Sequence, residues 1–461
     1  MSRDLMAQIE EIVYPRSLAL IGASNREGAL GRLFLDCFLY TGFEPFYLVN
    51  PRQENILGRK AYRSIKDIPG EVDLAVVVTS ADTLPQVVSE CTQKGVKGVA
   101  IFTAGFGETD PGLKKVEQQL VDIAHNGGTR LIGPNCIGIY CPESKLSYPL
   151  MPGTEPGTVG AVSQSGSVVD MLTWQATEMG VKFSKTISCG NECDLTAVDF
   201  FEYLGQDAKT EMIIAYLEGV KEGARFYRLA RRIAAIKPVI VWKGGLTDTG
   251  ARAASSHTGA LSGSRRTWET LFRQTGIIQV HSYEDAFDAL LAFYHLPLPS
   301  GRRVVVVSGG GGSAVGTTDA VVELGLEPAQ LLPETSSKIA QVIPPVGTSS
   351  GNPVDLSIAV LRQPDIFGPV LRALVEDENV DMVLLVGAPS PEFTDLVVPI
   401  VNGTRKPVAV SVSLAFEGSH QEYKRLSQGG VAVFTDPRRA ALALSRIADY
   451  ADFRARALRD D

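Results

Sequence analysis

The chain has 461 residues, of which 44% are apolar and 21% charged, a composition typical of a globular α/β protein with several domains. Its net charge of −8 and the lack of a basic tract argue against nucleic acid as a partner, and no apolar run approaches the roughly 20 residues that span a membrane. The six cysteines form no Cys-x-x-Cys pair, so we predict reduced thiols in a cytoplasmic protein and no metal site.

Short apolar runs in the first third of the chain predict parallel strands. They are rich in Val, Ile and Leu, and each is followed by Gly, Ser or Pro. The runs are 17–22, 46–50, 73–79, 98–102 and 129–133. The amphipathic segment 82–95 between two of them predicts a helix, so this part of the chain indicates a doubly wound βαβ domain.

Two further sets of strands follow turn-rich segments. After 149–158 the predicted strands are 159–163, 182–188, 211–218 and 238–243. After the Pro-rich linker 296–301 they are 303–309, 381–387, 407–413 and 431–434. We therefore predict three α/β units in series, over residues 1–150, 151–295 and 296–461.

The first unit opens with a strand that runs into the loop IGASNREGALG. Unpaired N–H groups and the dipole of the next helix favour an anion at such a loop, although an ordinary tight turn is the alternative. The glycines stand at 22, 28 and 31, which is not the Gly-x-Gly-x-x-Gly pattern of NAD enzymes. Asn50-Pro51-Arg52 stands where those enzymes often carry an acid, so a phosphorylated nucleotide fits better than NAD.

Two further glycine and serine loops begin the second and third units. Ser163-Gln164-Ser165-Gly166-Ser167 precedes a predicted helix, whose start would present N–H groups and hydroxyls to a dianionic group. A serine cap on a core helix is an equally good interpretation. The helical spacing is carried by Val168, Met171, Leu172 and Gln175. For Gly309–Gly312 we favour close packing of a helix on a strand over an anion site.

His257 stands in the run SSHTGALSG, among small residues that cannot bury an imidazole by bulk. Neutral imidazole is nucleophilic at physiological pH and can carry a phosphoryl group as a covalent intermediate. Glu218, at the end of a predicted strand, is a candidate to hold the other ring nitrogen. An ordinary surface or core histidine is the alternative, and for a single histidine it is the commoner one.

Taken together, the ordered motifs resemble a known family. They are SLALIGAS, LVNP, AVVVTSA, FTAGFGE, LIGPNCIGI, GAVSQSGSVV, YLEGV, SHTGALSG and NPVDL. In this order and spacing the chain resembles the NDP-forming acyl-CoA synthetases, which are related to succinyl-CoA synthetase, and more narrowly the α subunits of ADP-forming acetyl-CoA synthetases.

The resemblance implies a Rossmann-like CoA-binding domain followed by two flavodoxin-like domains. The residues it assigns to coenzyme A are Gly22, Ala23, Ser24, Asn50, Pro51, Thr79, Ser80, Thr103, Ala104 and Gly105. It makes His257 the phosphorylated residue and Glu218 its orienting carboxylate. The residues it places around the phosphoryl group are Asn135, Ser163, Gln164, Ser165 and Gly166.

The implied reaction interconverts acyl-CoA, ADP and phosphate with a carboxylic acid, CoA and ATP. No segment resembles the ATP-grasp module that handles the nucleotide in this family, so we expect a separate β subunit with Mg²⁺ and ADP or ATP, in an α2β2 assembly. The acyl group stays open among acetate, branched-chain, aryl and dicarboxylic acids. The alternative is a CoA-binding protein without turnover; His257, Glu218 and the Ser163–Ser167 loop together favour the enzyme.

Overall fold

Strands and helices alternate along the chain, and the strands assemble into three sheets in which parallel pairing dominates. The computed structural model describes residues 3–105, 111–148, 153–252, 263–361, 363–415 and 417–460. Two compact units are present: Met1–Thr177 with Lys182–Tyr283, and Glu178–Val181 with Glu284–Asp461. The first unit holds the first two sheets and the second holds the third, so the predicted fold class is confirmed.

The first sheet has the strand order β3-β4-β2-β1-β5-β6-β7, parallel except for the β3–β4 pair. Its strands are β1 (Leu18–Ile21), β2 (Phe46–Val49), β3 (Asn55–Ile56), β4 (Arg59–Tyr62), β5 (Leu74–Val77), β6 (Gly98–Ile101) and β7 (Arg130–Ile132). Its helices are α1 (Arg3–Val13), α2 (Leu30–Thr41), α3 (Leu84–Lys94) and α4 (Pro111–His125). Strand β1 lies between β2 and β5, so the chain direction across the sheet reverses there and the loops diverge into a crevice.

The second sheet has the order β13-β12-β11-β9-β10-β8, with only β8 antiparallel. Its strands are β8 (Ile139–Tyr140), β9 (Val159–Ser163), β10 (Phe183–Ser188), β11 (Met212–Leu217), β12 (Val239–Lys243) and β13 (Ile278–Val280). Its helices are α5 (Gly166–Glu178), α6 (Ala197–Gln206), α7 (Gly223–Ala234) and α8 (Arg265–Thr275). Strand β8 precedes residue 150, so the chain enters this sheet before the first boundary drawn from sequence; the three domain ranges stay predictions.

The third sheet has the order β15-β14-β17-β18-β19, and β16 also pairs with β14. Its strands are β14 (Arg303–Ser308), β15 (Glu327–Pro328), β16 (Val354–Asp355), β17 (Met382–Gly387), β18 (Val408–Val412) and β19 (Ala432–Phe434). The remaining helices are α9 (Tyr283–His295), α10 (Gly311–Glu323), α11 (Pro333–Ala340), α12 (Phe367–Glu376), α13 (Pro391–Gly403), α14 (Ser419–Gln428) and α15 (Pro437–Asp460). A Cβ on Gly309 would lie 2.8 Å from Val360 Cγ1, whereas one on Gly310 or Gly312 would meet nothing within 4 Å, so close packing requires glycine at only part of this loop.

Burial explains why the long strands could be predicted. Every residue of β1, β5 and β6 is buried, as expected for parallel strands covered on both faces, and this leaves near-continuous apolar runs in the sequence. Helix α5 forms where predicted and buries Leu172, but Met171 is 56% exposed, so the predicted apolar face was wrong at that position. Among the described residues, no helix has the length and apolar content needed to cross a membrane.

Candidate functional site

A cleft of about 510 Å³ opens at the carboxyl ends of β1, β2 and β5. Five of the residues predicted to bind coenzyme A line it: Gly22, Asn50, Pro51, Thr79 and Ser80. The exposed cations Arg52 and Arg63 also line it. Apolar side chains and the carboxylate of Glu90 complete the lining, so the cleft combines main chain, apolar surface and charges of both signs. It lies at the switch point of the sheet, where α/β proteins bind nucleotides.

The floor of this cleft requires glycine at two positions. Gly22 has a φ of +97°, and a Cβ there would lie 3.0 Å from Val78 O. A Cβ on Gly31 would lie 1.9 Å from Gly22 O, because α2 begins directly against the loop that follows β1. Only glycine permits the main chain at position 31 to lie this close to Gly22 O, and this contact places the first turn of α2 beside the cleft.

Asn50 braces the two loops that flank the cleft. Its Nδ2 donates to Ala23 O at 2.8 Å, and its Oδ1 accepts from Arg52 N at 2.8 Å. Ala23 is buried, and Ser24 Oγ accepts from Arg26 N at 3.1 Å. These contacts shape the loop from within, so Asn50 and Ser24 act on the cleft mainly through the backbone they hold.

A chain of hydrogen bonds leads from the cleft to Asn135. Thr103 Oγ1 donates to Thr79 O at 2.6 Å, and Asn135 N donates to Thr103 O at 3.0 Å. Thr79 Oγ1 is buried and has no partner among the described residues. The ends of β5 and β6 and the loop after β7 are thereby tied together, and the neighbours Ala104 and Gly105 are exposed beside them.

Asn135 lies in a loop that packs on the start of α5. It adopts a φ of 59°, and its Nδ2 lies 3.4 Å from Asn191 Oδ1. Two residues later, Ile137 N donates to Ser188 Oγ at 3.2 Å, and a Cβ on Gly166 would lie 2.9 Å from Ile137 Cγ2. The structure therefore places the Asn135 loop against the Ser163–Ser167 loop, and a role of Asn135 at the phosphoryl group stays a prediction.

The Ser163–Ser167 loop presents donors at one point. Ser163 Oγ accepts from Ser165 N at 3.1 Å and donates to Ser165 O at 2.6 Å, which fixes the turn between β9 and α5. The Oγ atoms of Ser165 and Ser167 lie 3.2 Å apart. In the part of the chain that the structure describes, the backbone N–H groups of Gly166 and Ser167 have no acceptor. Hydroxyls and unpaired N–H groups at a helix start suit a phosphoryl group.

The Gln164 side chain forms hydrogen bonds with the main chain of Glu218 and Gly219, which we call the Glu218 turn. Its Oε1 accepts from Glu218 N at 2.5 Å and from Gly219 N at 3.2 Å, and its Nε2 donates to Gly219 O at 2.9 Å. The residue is 6% exposed. These bonds engage the side-chain amide within the protein, so a direct contact of Gln164 with a phosphoryl group stays a prediction.

Glu218 has a firmly held main chain and an incompletely satisfied carboxylate. Lys243 Nζ donates to Glu218 O at 2.7 Å, on the side opposite the Gln164 amide. Glu218 is buried; Tyr216 Oη donates to its Oε1 at 3.3 Å, whereas Oε2 has no partner among the described residues. A buried carboxylate oxygen without a donor is unfavourable, so this oxygen could accept a hydrogen bond from a group outside the described residues. His257 lies outside the described residues, in 253–262.

Two buried charged residues near Glu218 were missed from sequence. Lys243 is 3% exposed, and burial lowers its pKa to about 8, while the Glu218 charge opposes that shift. Glu192 has its pKa raised to about 7 by burial, with hydrogen bonds from Ala197 N and the Gln164 side chain opposing the rise. The available signals were a lysine ending the apolar run PVIVWK and a glutamate within GNECD.

The cysteines are all free. Burial raises the pKa of the Cys136, Cys189 and Cys193 thiols, which lie near this site, so these thiols are poor nucleophiles.

Models of three protein families match consecutive parts of the chain. They describe a CoA binding domain (16–142), a Succinyl-CoA ligase like flavodoxin domain (156–293) and a Ligase-CoA domain (304–444). Acetate–CoA ligase [ADP-forming] II subunit alpha of Pyrococcus furiosus is 37% identical over 439 residues, which cover 93% of this chain and 95% of that protein. The chain belongs to the ADP-forming acyl-CoA ligase family.

Two other members of this family are informative. Acetate–CoA ligase [ADP-forming] I of Archaeoglobus fulgidus is 36% identical over 451 residues, which cover 97% of this chain but 64% of that protein. The solved structure of the dinucleotide forming acetyl-coenzyme A synthetase 1 of Ca. Korarchaeum cryptofilum, in complex with phosphate and ADP, matches with a TM-score of 0.89 and 31% identity, covering 98% of both chains. The cleft lies within the CoA-binding match, and Glu218 with the Ser163–Ser167 loop lies within the succinyl-CoA ligase-like match.

Proposed function

We propose that this protein interconverts acyl-CoA, ADP and phosphate with a carboxylic acid, CoA and ATP, through an acyl phosphate and a phosphohistidine at His257. The observation that carries the proposal is the Glu218 carboxylate, which is buried and has one oxygen without a partner in the described part of the chain. Glu218 adjoins the exit of β12, the strand that leads into the segment holding His257, because Leu217 pairs with Lys243.

Coenzyme A would occupy the cleft around Gly22, Asn50 and Thr79. The exposed guanidinium groups of Arg52 and Arg63 would meet its phosphates. The hydrogen-bonded path through Thr79 and Thr103 leads the pantetheine arm to Asn135, with Ala104 and Gly105 beside it. The thioester would thus reach the start of α5.

The chemistry then needs two displacements on this chain. An oxygen of inorganic phosphate attacks the thioester carbonyl, the C–S bond breaks, and CoA leaves as the thiolate and takes up a proton. A ring nitrogen of His257 next attacks phosphorus in the acyl phosphate and releases the carboxylate. The N–H groups of Gly166 and Ser167 would stabilise the phosphoryl oxygens, and Glu218 would accept the N–H of the other ring nitrogen.

The last step belongs to a partner. We propose a separate ATP-grasp β subunit, in an α2β2 assembly, that binds ADP or ATP with Mg²⁺ and takes the phosphoryl group from His257. The support is that a relative of equal length is named a subunit alpha, whereas the Archaeoglobus relative is one longer chain. We also propose a cytoplasmic location, which the free thiols favour.

A reconstitution tests this function. The chain is purified with an ATP-grasp β subunit, and ATP formation is measured with ADP, phosphate, Mg²⁺ and a panel of acetyl-, branched-chain, aryl- and dicarboxylic acyl-CoA thioesters. We expect ATP only when acyl-CoA, phosphate and both subunits are present. Tight CoA binding without turnover of any thioester in the panel would instead support the CoA-binding protein without enzymatic activity.

A further inference from the structure

A buried lysine joins the three elements around Glu218. Lys243 ends β12, and its Nζ donates to Glu218 O at the end of β11 and to Gly244 O at the exit of β12. The same ammonium lies 5.2 Å from the centre of the Trp268 ring, on helix α8. Helix α8 begins at Arg265, directly after the segment that contains His257, so Lys243 touches the strand before that segment and the helix after it.

The two ends of the Glu218 peptide are held by different side chains. The Gln164 amide accepts the Glu218 N–H, and the Lys243 ammonium donates to the Glu218 carbonyl. Neither group bonds to the carboxylate, whose Oε2 is left without a partner in the described residues. This arrangement fixes where the carboxylate stands and leaves its free oxygen for a donor that arrives from elsewhere.

A second buried lysine, Lys237, offers a comparison with Lys243. Lys237, two residues before β12 and 8% exposed, donates through Nζ to three carbonyls at the opposite end of the sheet: Leu204 O, Asp207 O and Thr210 O. Burial lowers the pKa of both lysines. The contacts of Lys237 lie at the end of a helix and in a turn, whereas those of Lys243 are with Glu218 O, Gly244 O and the Trp268 ring.

We propose that Lys243 is a positioning residue for phosphoryl transfer: its ammonium fixes the Glu218 turn and the chain that leaves β12, so that the Glu218 carboxylate meets the imidazole of His257 in a set geometry. Lys243 does not contact the phosphoryl group. This inference rests on the proposed phosphohistidine.

The physical reason is that hydrogen bonds stabilise a reacting group only when donor and acceptor are correctly placed, so a small displacement weakens the stabilisation. A shift of about 1 Å in a group that orients a reacting side chain can cost two orders of magnitude in rate. Without the ammonium, the carbonyls of Glu218 and Gly244 lose a buried donor, and the Glu218 turn keeps its hydrogen bonds to Gln164 but loses the one to Lys243. The stability of the fold would fall too, so stability and phosphoryl transfer have to be measured separately.

The experiment compares Lys243→Met with Lys237→Met in the full chain, in complex with an ATP-grasp β subunit. Three quantities are measured: the melting temperature, the Kd for CoA, and the single-turnover rate of base-stable, acid-labile labelling by ATP. For Lys243→Met we expect labelling slowed about tenfold or more with the Kd for CoA within about twofold. For Lys237→Met we expect a lower melting temperature but labelling within about twofold of the wild type.

A double-mutant cycle separates positioning from general damage. If Lys243 acts through Glu218, the Lys243→Met substitution slows labelling far less in a Glu218→Gln background than in the wild type. Equal slowing in both backgrounds, or equal slowing by Lys243→Met and Lys237→Met, would overturn the inference. If Lys243→Met does not fold, Lys243→Gln, which keeps one amide donor, replaces it in the same comparisons.

The wild type provides the control for the underlying function. Wild-type labelling at His257 with no effect of Lys243→Met refutes the inference about Lys243 alone. A wild type that forms ATP without labelling at His257 refutes the proposed function, whatever the lysine variants do.

Discussion

The cleft of the first sheet, where we propose that CoA binds, and the Glu218 region of the second sheet, where we propose phosphoryl transfer, are built from different groups. The cleft offers main chain, small residues and two exposed guanidinium groups, and its braced loops leave about 510 Å³ open. The Glu218 region is closed by buried charged and amide side chains whose positions are fixed by short hydrogen bonds. A large flexible cofactor tolerates adaptable surface cations, whereas a small reacting group needs donors and acceptors held in place.

The largest effect we predict falls on the second region alone. Glu218→Gln removes the charge that would stabilise the imidazolium of His257, so labelling by ATP and the β subunit should slow by about 100-fold or more. The Kd for CoA should stay unchanged, because the cleft lies on the other sheet. Glu222→Gln is the matched control, since Glu222 is exposed. Parallel losses of labelling and CoA binding would show that the two regions are not separable.

The second prediction is a substitution that disturbs the cleft and leaves the Glu218 region unchanged. Gly31→Ala places a methyl group 1.9 Å from Gly22 O, so α2 must move away from the loop after β1. We expect CoA to bind about tenfold or more weakly, by calorimetry, with a lower melting temperature. ATP-dependent labelling should persist in the folded protein, because it needs no CoA. Gly223→Ala is the control, since a Cβ there meets nothing within 4 Å; CoA binding equal in both variants would contradict the account.

A smaller effect is predicted for Asn50, and it tests whether this side chain acts on the cleft through the backbone that it holds. Asn50→Ala removes both its bond to Ala23 O and its bond from Arg52 N, and should weaken CoA binding by about fivefold. Asn50→Asp keeps the acceptor for Arg52 N, but it sets a carboxylate oxygen against Ala23 O and beside the anionic cofactor, so it should weaken binding more than Asn50→Ala does. A Kd for CoA of Asn50→Ala equal to that of the wild type would show that these two bonds do not shape the cleft.

The smallest effect concerns stability and pH. Burial raises the pKa of Glu192 from 4.5 to about 7, so the folded state binds this proton more tightly than the unfolded state between those values. Ionisation therefore costs stability as pH rises through this window, and the cost is complete above pH 7. Glu192→Gln should melt a few degrees higher than the wild type at pH 8 and about equally at pH 5. A constant difference across pH would show that Glu192 does not titrate there.

The sequence predicted the long strands and the loops well because buried parallel strands leave apolar runs and their carboxyl ends carry Gly and Ser. It could not show side-chain direction. The bonds that the Gln164 amide forms with residues 218 and 219 could not be predicted from the sequence, and its contact with a phosphoryl group stays a prediction. Lys243 ends an apolar run, and the sequence alone did not show that its side chain is buried, at 3% exposed. Strand β8 depends on long-range antiparallel pairing with β10, which two residues of sequence do not reveal.

The most direct test of the central claim is to locate the phosphoryl group. The wild-type chain is phosphorylated by ATP with the β subunit, digested at alkaline pH, and its phosphopeptides are sequenced by mass spectrometry. We predict one acid-labile phosphate, on His257, that is lost when ADP is added and ATP forms. A phosphate on another residue, or ATP formation without any phosphorylated form of this chain, would contradict the account.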